Sequence, residues 1–137
     1  MKTPLAILLT VTVVVCALFA AGSPRQDAID VSIIQLIASP KEYDGKIVRV
    51  VGFMHLQFEG NAIYLHKEDY DRSLHKNGLW LEATGAMRTD MLKMNDCFVV
   101  IEGEFSSKEQ GHFAMWSGTI FDITRASLWS QPESEER

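Results

Sequence analysis

The stretch YDGKIVRVVGFMHLQF, residues 43–58, constrains the fold of this chain more than any other. It begins with the turn signal Asp44-Gly45 and continues as a long run rich in β-branched residues, with Gly52 at its centre. A glycine inside such a run usually marks a bulge or a tight bend. We therefore expect a strand over residues 46–57 that bends at Gly52 and serves two halves of a curled sheet.

Alternation along this strand predicts two different faces. One face carries only apolar side chains, namely Val48, Val50, Met54 and Leu56. The other face is mixed and carries Ile47, Arg49, Val51, Phe53 and His55. A strand that is buried on both sides would not place a charge and an imidazole on one face. The face with Arg49 and His55 is therefore where we expect a binding site.

The N-terminus predicts export. Lys2 is followed by an uncharged apolar run that ends in small residues before Ser23, which is typical of a secretory signal peptide over residues 1–22. An uncleaved membrane anchor is the alternative, because residues 5–22 almost reach the ~20 residues that span a bilayer. We expect a periplasmic or secreted protein that meets the membrane only through this segment before cleavage.

Removal of that segment leaves about 115 residues, the size of one domain with a single core. We expect a linker over residues 23–30, the domain over 31–129 and an acidic, disordered tail over 130–137. Cys97 is then the only cysteine, so no intrachain disulfide can form, and we expect a buried, inert thiol. The formal charge of −5 argues against nucleic-acid binding, which draws on basic surfaces.

The remaining pattern predicts a series of short elements. In chain order these are a helix over 31–40 started by Ser32 or Asp30 and ended by Pro40, the strand over 46–57, a hairpin turn at 59–61, a strand over 62–66, a polar loop or helical turn over 67–77, a strand over 78–84, a helix over 86–96 with Met87, Met91 and Leu92 inward, a strand over 97–106, and a strand over 111–129 bent at Gly118. A short helix between the third and fourth of five curled strands is the layout of an OB-fold. We therefore predict a mainly β protein, a five-stranded OB-like Greek-key barrel with an additional N-terminal helix.

The residues also support a resemblance. The pattern consists of Leu36, Pro40, Tyr43-Asp44-Gly45-Lys46, Val48-x-Val50-x-Gly52, Leu79-Trp80-Leu81, Val100-Ile101-Glu102-Gly103 and Gly118-Thr119-Ile120. It resembles the OB-like domains of small exported bacterial proteins, over roughly residues 31–129. These motifs are structural, so the resemblance implies a fold and an envelope location, and it carries no catalytic residue over to this chain.

Aromatic residues suggest a binding face. Six of them fall on predicted strands, namely Phe53, Tyr64, Trp80, Phe98, Phe113 and Trp116. OB barrels bind ligands on the face of their middle strands, where aromatic rings can stack on a sugar, a peptide or a base. The predicted ligand-binding residues are Arg49, His55, Tyr64, Trp80 and Trp116. The alternative is that most of these aromatic rings fill the barrel core.

Histidines offer a second hypothesis. The four histidines show no HExxH spacing and no paired cysteines accompany them, but the fold could assemble a metal site from His66, His112 and Glu68. No catalytic motif is present together with its partner residues, so we predict a protein that is not an enzyme and has no cofactor. The first hypothesis is an envelope binding module for a peptide, a glycan or a partner protein, using the barrel face and the 67–77 loop. A metal or small-ligand binder is the second, and a nucleic-acid binder by fold analogy is the third.

Overall fold

The computed structural model describes residues 26–130, and five of its strands close into a barrel. The strands are β1 (Ile29–Asp30), β2 (Ile47–His55), β3 (Ala62–Tyr64), β4 (Gly78–Leu81), β5 (Phe98–Ser106) and β6 (Thr119–Leu128). The helices are α1 (Ile33–Ala38), α2 (Pro40–Tyr43), α3 (Lys67–Asp71) and α4 (Gly85–Leu92), with 3-10 turns at His75–Asn77 and His112–Ala114.

The strand order confirms the predicted architecture. Neighbouring strands follow the order β2-β3-β4-β6-β5, and pairing of β2 with β5 closes the ring. Only β4 and β6 pair in parallel within the ring, while β1 adds two parallel residues beside β2. The helix α4 lies between the third and fourth barrel strands, as in an OB-fold. The protein is thus a mainly β, OB-like barrel with N-terminal helices.

The strand β2 serves two parts of the sheet, as predicted, but the predicted bulge at Gly52 is wrong. Pairing with β5 runs from Ile47 to Phe53 without a shift, and Gly52 faces Val99. Glycine is needed there for space, because a Cβ atom on Gly52 would lie 2.5 Å from the carbonyl oxygen of Tyr64. The register shift lies instead between β5 and β6, beside Glu102 and Glu104.

The core forms inside the barrel and against α1. Along β2 the inward side chains are Val48, Val50 and Met54, as the alternation predicted. Ser32 caps α1 in a capping box with Gln35, and this helix buries Ile33 and Leu36. The helix α4 contributes Met91, whereas Leu92 is 47% exposed, so its predicted inward position is wrong. Residue 92 directly follows the buried position 91, and adjacent helical residues do not share a face.

The last strand is shorter than predicted. Residues 111–118 form a loop with a 3-10 turn, and β6 begins only at Thr119, after the predicted bend at Gly118. The prediction of a strand over 111–118 is wrong because Gly111, Phe113 and Ala114 have φ angles of +67°, +53° and +55°. Such left-handed backbone is incompatible with an extended strand.

Residues 26–130 are the whole of what the structure describes, so the predicted signal peptide, residues 23–25 of the predicted linker and residues 131–137 of the predicted tail lie outside it. Within 26–130, no helix combines the length and the apolar character needed to cross a membrane. Cys97 is a free thiol that is partly buried and packs against the core.

Candidate functional site

Two segments, residues 65–77 and 107–118, lie over the outer face of β3 and β4. There Ala62, Tyr64 and Trp116 form a second buried cluster, with Tyr70 and Trp80 packed against it. We call these five residues the outer cluster. It brings together three of the predicted ligand-binding residues. However, Tyr64 and Trp116 are each only 2% exposed, so the chain itself covers the face that an OB barrel would use for stacking.

Hydrogen bonds fix the outer cluster. Trp116 Nε1 donates to the Tyr64 hydroxyl over 3.1 Å, and that hydroxyl lies 3.0 Å from Nδ1 of His75. Burial raises the pKa of Tyr64, so the hydroxyl stays protonated and can donate a hydrogen bond to Nδ1 of His75. The Trp80 and Trp116 rings meet edge to face with centroids 4.8 Å apart. The cluster therefore fastens the 107–118 loop to the barrel.

Both ring nitrogens of His55 and one face of its ring contact other protein groups. Its Nδ1 lies 2.6 Å from Oδ1 of Asp96, and its Nε2 lies 3.0 Å from the Tyr70 hydroxyl and 3.1 Å from Oε1 of Gln57. The Tyr70 ring stacks on the imidazole with centroids 4.1 Å apart. These contacts make His55 an anchor for α3, the helix that carries Tyr70 over the barrel face.

Arg49 lies away from the other predicted ligand-binding residues. It shares a face of β2 with His55, but six residues of strand separate the two by about 20 Å. Its Nε donates to Oε1 of Glu102 over 2.7 Å and its Nη1 to Oδ1 of Asp30 over 3.0 Å. Arg125 donates to the same Glu102 oxygen. Arg49 thus ties β1 to β5 beside an open groove of about 590 Å³.

These contacts shift the pKa values of the groups involved. The hydrogen bond from Arg49 holds the pKa of Glu102 below its ordinary value, and the same pairing raises the pKa of Arg49. Hydrogen bonds from the backbone and hydroxyl of Ser107 lower the pKa of Asp44. A carboxyl group with a depressed folded pKa stabilises the fold above its unfolded pKa, and this contribution is lost as the pH falls through the folded value.

We therefore expect the free energy of unfolding to fall as the pH drops below the ordinary carboxyl range, about pH 4. The Glu102→Gln variant should show a shallower fall, because it removes one of these carboxylates. Urea unfolding curves across this range are the measurement. Glu104→Gln is the matched control, since Glu104 lies on the same face of β5 and makes no ion pair within residues 26–130. Equal slopes for the two variants would contradict the assignment.

The proposed metal ligands do not come together. Nδ1 of His66 lies 3.9 Å from Oδ2 of Asp69, whereas Nε2 of His112 lies 3.5 Å from Oε2 of Glu59. Glu68 is exposed on α3. In the described range, no three His, Cys, Asp or Glu side chains are placed to hold a metal ion. The contact between His112 and Glu59 instead joins two turns of the chain.

Among residues 26–130, these two turns carry the most exposed aromatic side chains, which were not among the ligand-binding residues predicted from the sequence. Phe58 is 88% exposed beside Glu59, and Phe113 is 85% exposed beside His112. Glu59 and Phe113 both have left-handed backbone, with φ angles of +58° and +53°. In sequence, the only signals were the hairpin turn after Phe58 and the nearby Gly111.

The loop that carries Phe113 is held in place by Lys76. Its Nζ donates to the carbonyl oxygens of Ala114 and Trp116 over 2.9 and 3.0 Å, and Ser117 Oγ donates to the Lys76 carbonyl over 2.6 Å. Met115 then borders a shallow depression of about 440 Å³ together with Leu74. We call the exposed apolar side chains of the two turns, Phe58, Phe113 and Met115, together with Leu74 of the 65–77 segment, the loop-tip surface.

The outer cluster and Lys76 fix the backbone of the 107–118 loop in advance, and the contact between Glu59 and His112 joins the turn of Phe58 to it. Such an arrangement suits binding, because the groups that make contact are already ordered. Comparisons of this chain with family models, with curated proteins and with solved structures gave no match.

Proposed function

We propose that the protein is an exported, non-enzymatic binding module of the bacterial envelope that recognises a partner protein with its loop-tip surface. The observation that carries this proposal is Phe113, a phenylalanine exposed to solvent on left-handed backbone in a fastened loop. The predicted signal peptide supports the location in the envelope.

The conformation of Phe113 is costly and brings little stability in return. Left-handed backbone costs about 1–2 kcal/mol for a residue other than glycine, and Ala114 adds a second such residue. A ring that stays exposed regains almost none of this through burial. Strained residues of this kind cluster at ligand-binding sites, where the surrounding structure holds them in place. Lys76 and Trp116 provide that support here.

The position of the loop-tip surface matches the fold. In OB barrels the loops between strands 1 and 2 and between strands 4 and 5 flank the ligand. In this chain those loops are residues 56–61 and 107–118, and they carry Phe58 and Phe113. The outer cluster supports these loops from below. Tyr64 and Trp116 therefore contribute to partner binding by holding the loops in place and do not contact the partner themselves.

The chemistry of the loop-tip surface favours a protein partner. Aromatic residues and methionine are enriched at the cores of protein interfaces, and polar groups form their rims. Here Glu59, Lys76 and His112 provide charged or polar groups around the apolar side chains. The net charge of −5 disfavours a nucleic acid, whose phosphates require basic surfaces.

A photo-crosslinking experiment in living cells of the source bacterium tests the proposal. We expect p-benzoylphenylalanine at position 115 to give one discrete adduct with an envelope protein. Adding Phe113→Gly to the protein that carries p-benzoylphenylalanine at position 115 should reduce the yield of the adduct at least about tenfold. Loss of one interface hot-spot residue lowers the affinity by at least about this factor. The free energy of unfolding of the Phe113→Gly variant should stay equal or rise by about 1 kcal/mol, because glycine adopts left-handed backbone without strain.

Position 92 on α4 is the control site, because Leu92 is exposed on a different element. An equal adduct from position 92, or an adduct that persists in Phe113→Gly, would refute the loop-tip surface as the binding site. The absence of any adduct at position 115 would contradict the proposal itself.

A further inference from the structure

A groove of about 350 Å³ lies between α1 and the segment that carries α3, outside the loop-tip surface. Its wall is formed by Ile34 and Ile37 of α1 together with Leu65, and its polar groups are those of Asp69 and Asn77. We call it the α1 groove. Small-molecule sites have volumes of about 300–1,000 Å³ and combine apolar walls with a few polar groups.

Asp69 gives this groove its chemical character. The side chain is only 15% exposed. Its Oδ1 accepts a hydrogen bond from Asn77 Nδ2 over 2.8 Å and its Oδ2 one from the backbone of His66 over 3.3 Å. Within residues 26–130 it makes no ion pair with a lysine or an arginine, and its only basic neighbour is the His66 ring at 3.9 Å.

The other basic side chains near Asp69 do not form an ion pair with it at hydrogen-bonding distance. Lys67, the nearest lysine in sequence, pairs with Asp71 over 2.7 Å. His66 also lines the groove, but its side chain is 65% exposed and its Nδ1 lies 3.9 Å from the Asp69 carboxylate, beyond hydrogen-bonding distance. The largely buried carboxylate of Asp69 therefore accepts hydrogen bonds only from the neutral Asn77 amide and from a backbone N–H group. A cation that carries an apolar group would complement this carboxylate and the apolar wall beside it.

We propose that the α1 groove binds a small aliphatic ammonium ion. The alkyl part lies against the isoleucines of α1, and the ammonium group donates hydrogen bonds to the Asp69 carboxylate. Two sources share this chemistry: a free alkylamine, and the amino terminus of a peptide whose first residue is aliphatic. The groove shares Asn77 with the depression beside Leu74 and Met115, but Asp69 and the isoleucines of α1 lie outside that depression, so either proposal can fail without the other.

An NMR titration of the purified protein tests the inference. Isopentylamine and 3-methyl-1-butanol share one branched skeleton, and only the amine is charged at neutral pH. We expect the amine to bind at least about tenfold more tightly, since hydrogen bonds to charged groups are the stronger ones. The shifted amides should belong to residues 33–38 and 65–77. The peptide Leu-Gly-Gly in a parallel titration distinguishes the two sources.

Three variants locate the site. Asp69→Asn should weaken the amine about tenfold and leave the alcohol unchanged, because it removes the charge and keeps an acceptor. Ile34→Gln should weaken both ligands and preserve the fold, since Ile34 is 57% exposed. Leu92→Gln, a matched exposed position on α4, should change neither. Equal affinity for amine and alcohol, full amine affinity in Asp69→Asn or Ile34→Gln, or shifts confined to other residues would overturn the inference.

Discussion

The Gly52→Ala variant should lose about 3 kcal/mol of its free energy of unfolding, at the upper end of what overpacking costs. The added methyl group would lie 2.5 Å from the Tyr64 carbonyl oxygen and 2.7 Å from Cδ1 of Ile33. The first contact is with backbone, at the point where β2 changes its pairing partner, so no side-chain rotation can relieve it. Urea unfolding monitored by tryptophan fluorescence measures the loss.

Gly85→Ala is the control that distinguishes the cost of steric crowding from the cost of backbone strain. Gly85 has a φ angle of +56° and open space where a Cβ would point. Alanine there should cost only the left-handed penalty, about 1 kcal/mol. A Gly52→Ala variant as stable as Gly85→Ala would show that β2 and β3 can separate without loss, against the tight crossing seen in the structure.

The Trp116→Ala variant should release the 107–118 loop and lower the free energy of unfolding by about 3 kcal/mol, as removal of a buried aromatic ring does. Trp116 is buried in the outer cluster, outside the barrel core. We therefore expect faster amide hydrogen exchange first in residues 107–118, with the barrel strands still protected. Hydrogen exchange followed by mass spectrometry, together with urea unfolding, measures both effects.

Trp116→Phe is the matched control. It retains an apolar ring but removes the hydrogen bond from Nε1 to Tyr64, so it should lose only about 1 kcal/mol. Unchanged exchange of the 107–118 loop in Trp116→Ala would mean that the hydrogen bonds of Lys76, Ser107 and Ser117 hold the loop without the Trp116 ring. If the loop is released, the crosslink at position 115 should weaken although Trp116 itself is covered.

The fold was predictable because local patterns agreed with one another. The inward and outward residues of β2 follow strict alternation, and Leu79 and Leu81 of β4 lie inward while Trp80 lies outward. The order of the elements then admits few topologies. The role of Gly52 was not predictable, because a bulge and a close backbone approach call for the same residue. Only the position of β3 decides between them.

The candidate site was predictable only in part. The sequence predicted Tyr64 and Trp80 in two successive strands, and in the structure these strands pair and both side chains lie in the outer cluster. The covering of this face depends on contacts that are distant in sequence, such as the hydrogen bond from Trp116 to Tyr64. Phe113 was assigned to a strand because hydrophobic periodicity carries no information on the sign of φ. Its left-handed backbone, and with it the loop-tip surface, is visible only in the folded structure.

The closure of the barrel limits how early and how fast the chain can fold. The strand β2 pairs with β5 over seven residues, so its ladder stays incomplete until most of the chain has been synthesised. Proteins dominated by such non-local pairing fold on timescales of about milliseconds to seconds. For an exported protein, as we propose this chain to be, the delay would be an advantage, because the chain would remain extended while it is translocated. The same closure leaves the long strand β2 without a free edge once folding is complete, which protects the finished domain from edge-to-edge aggregation.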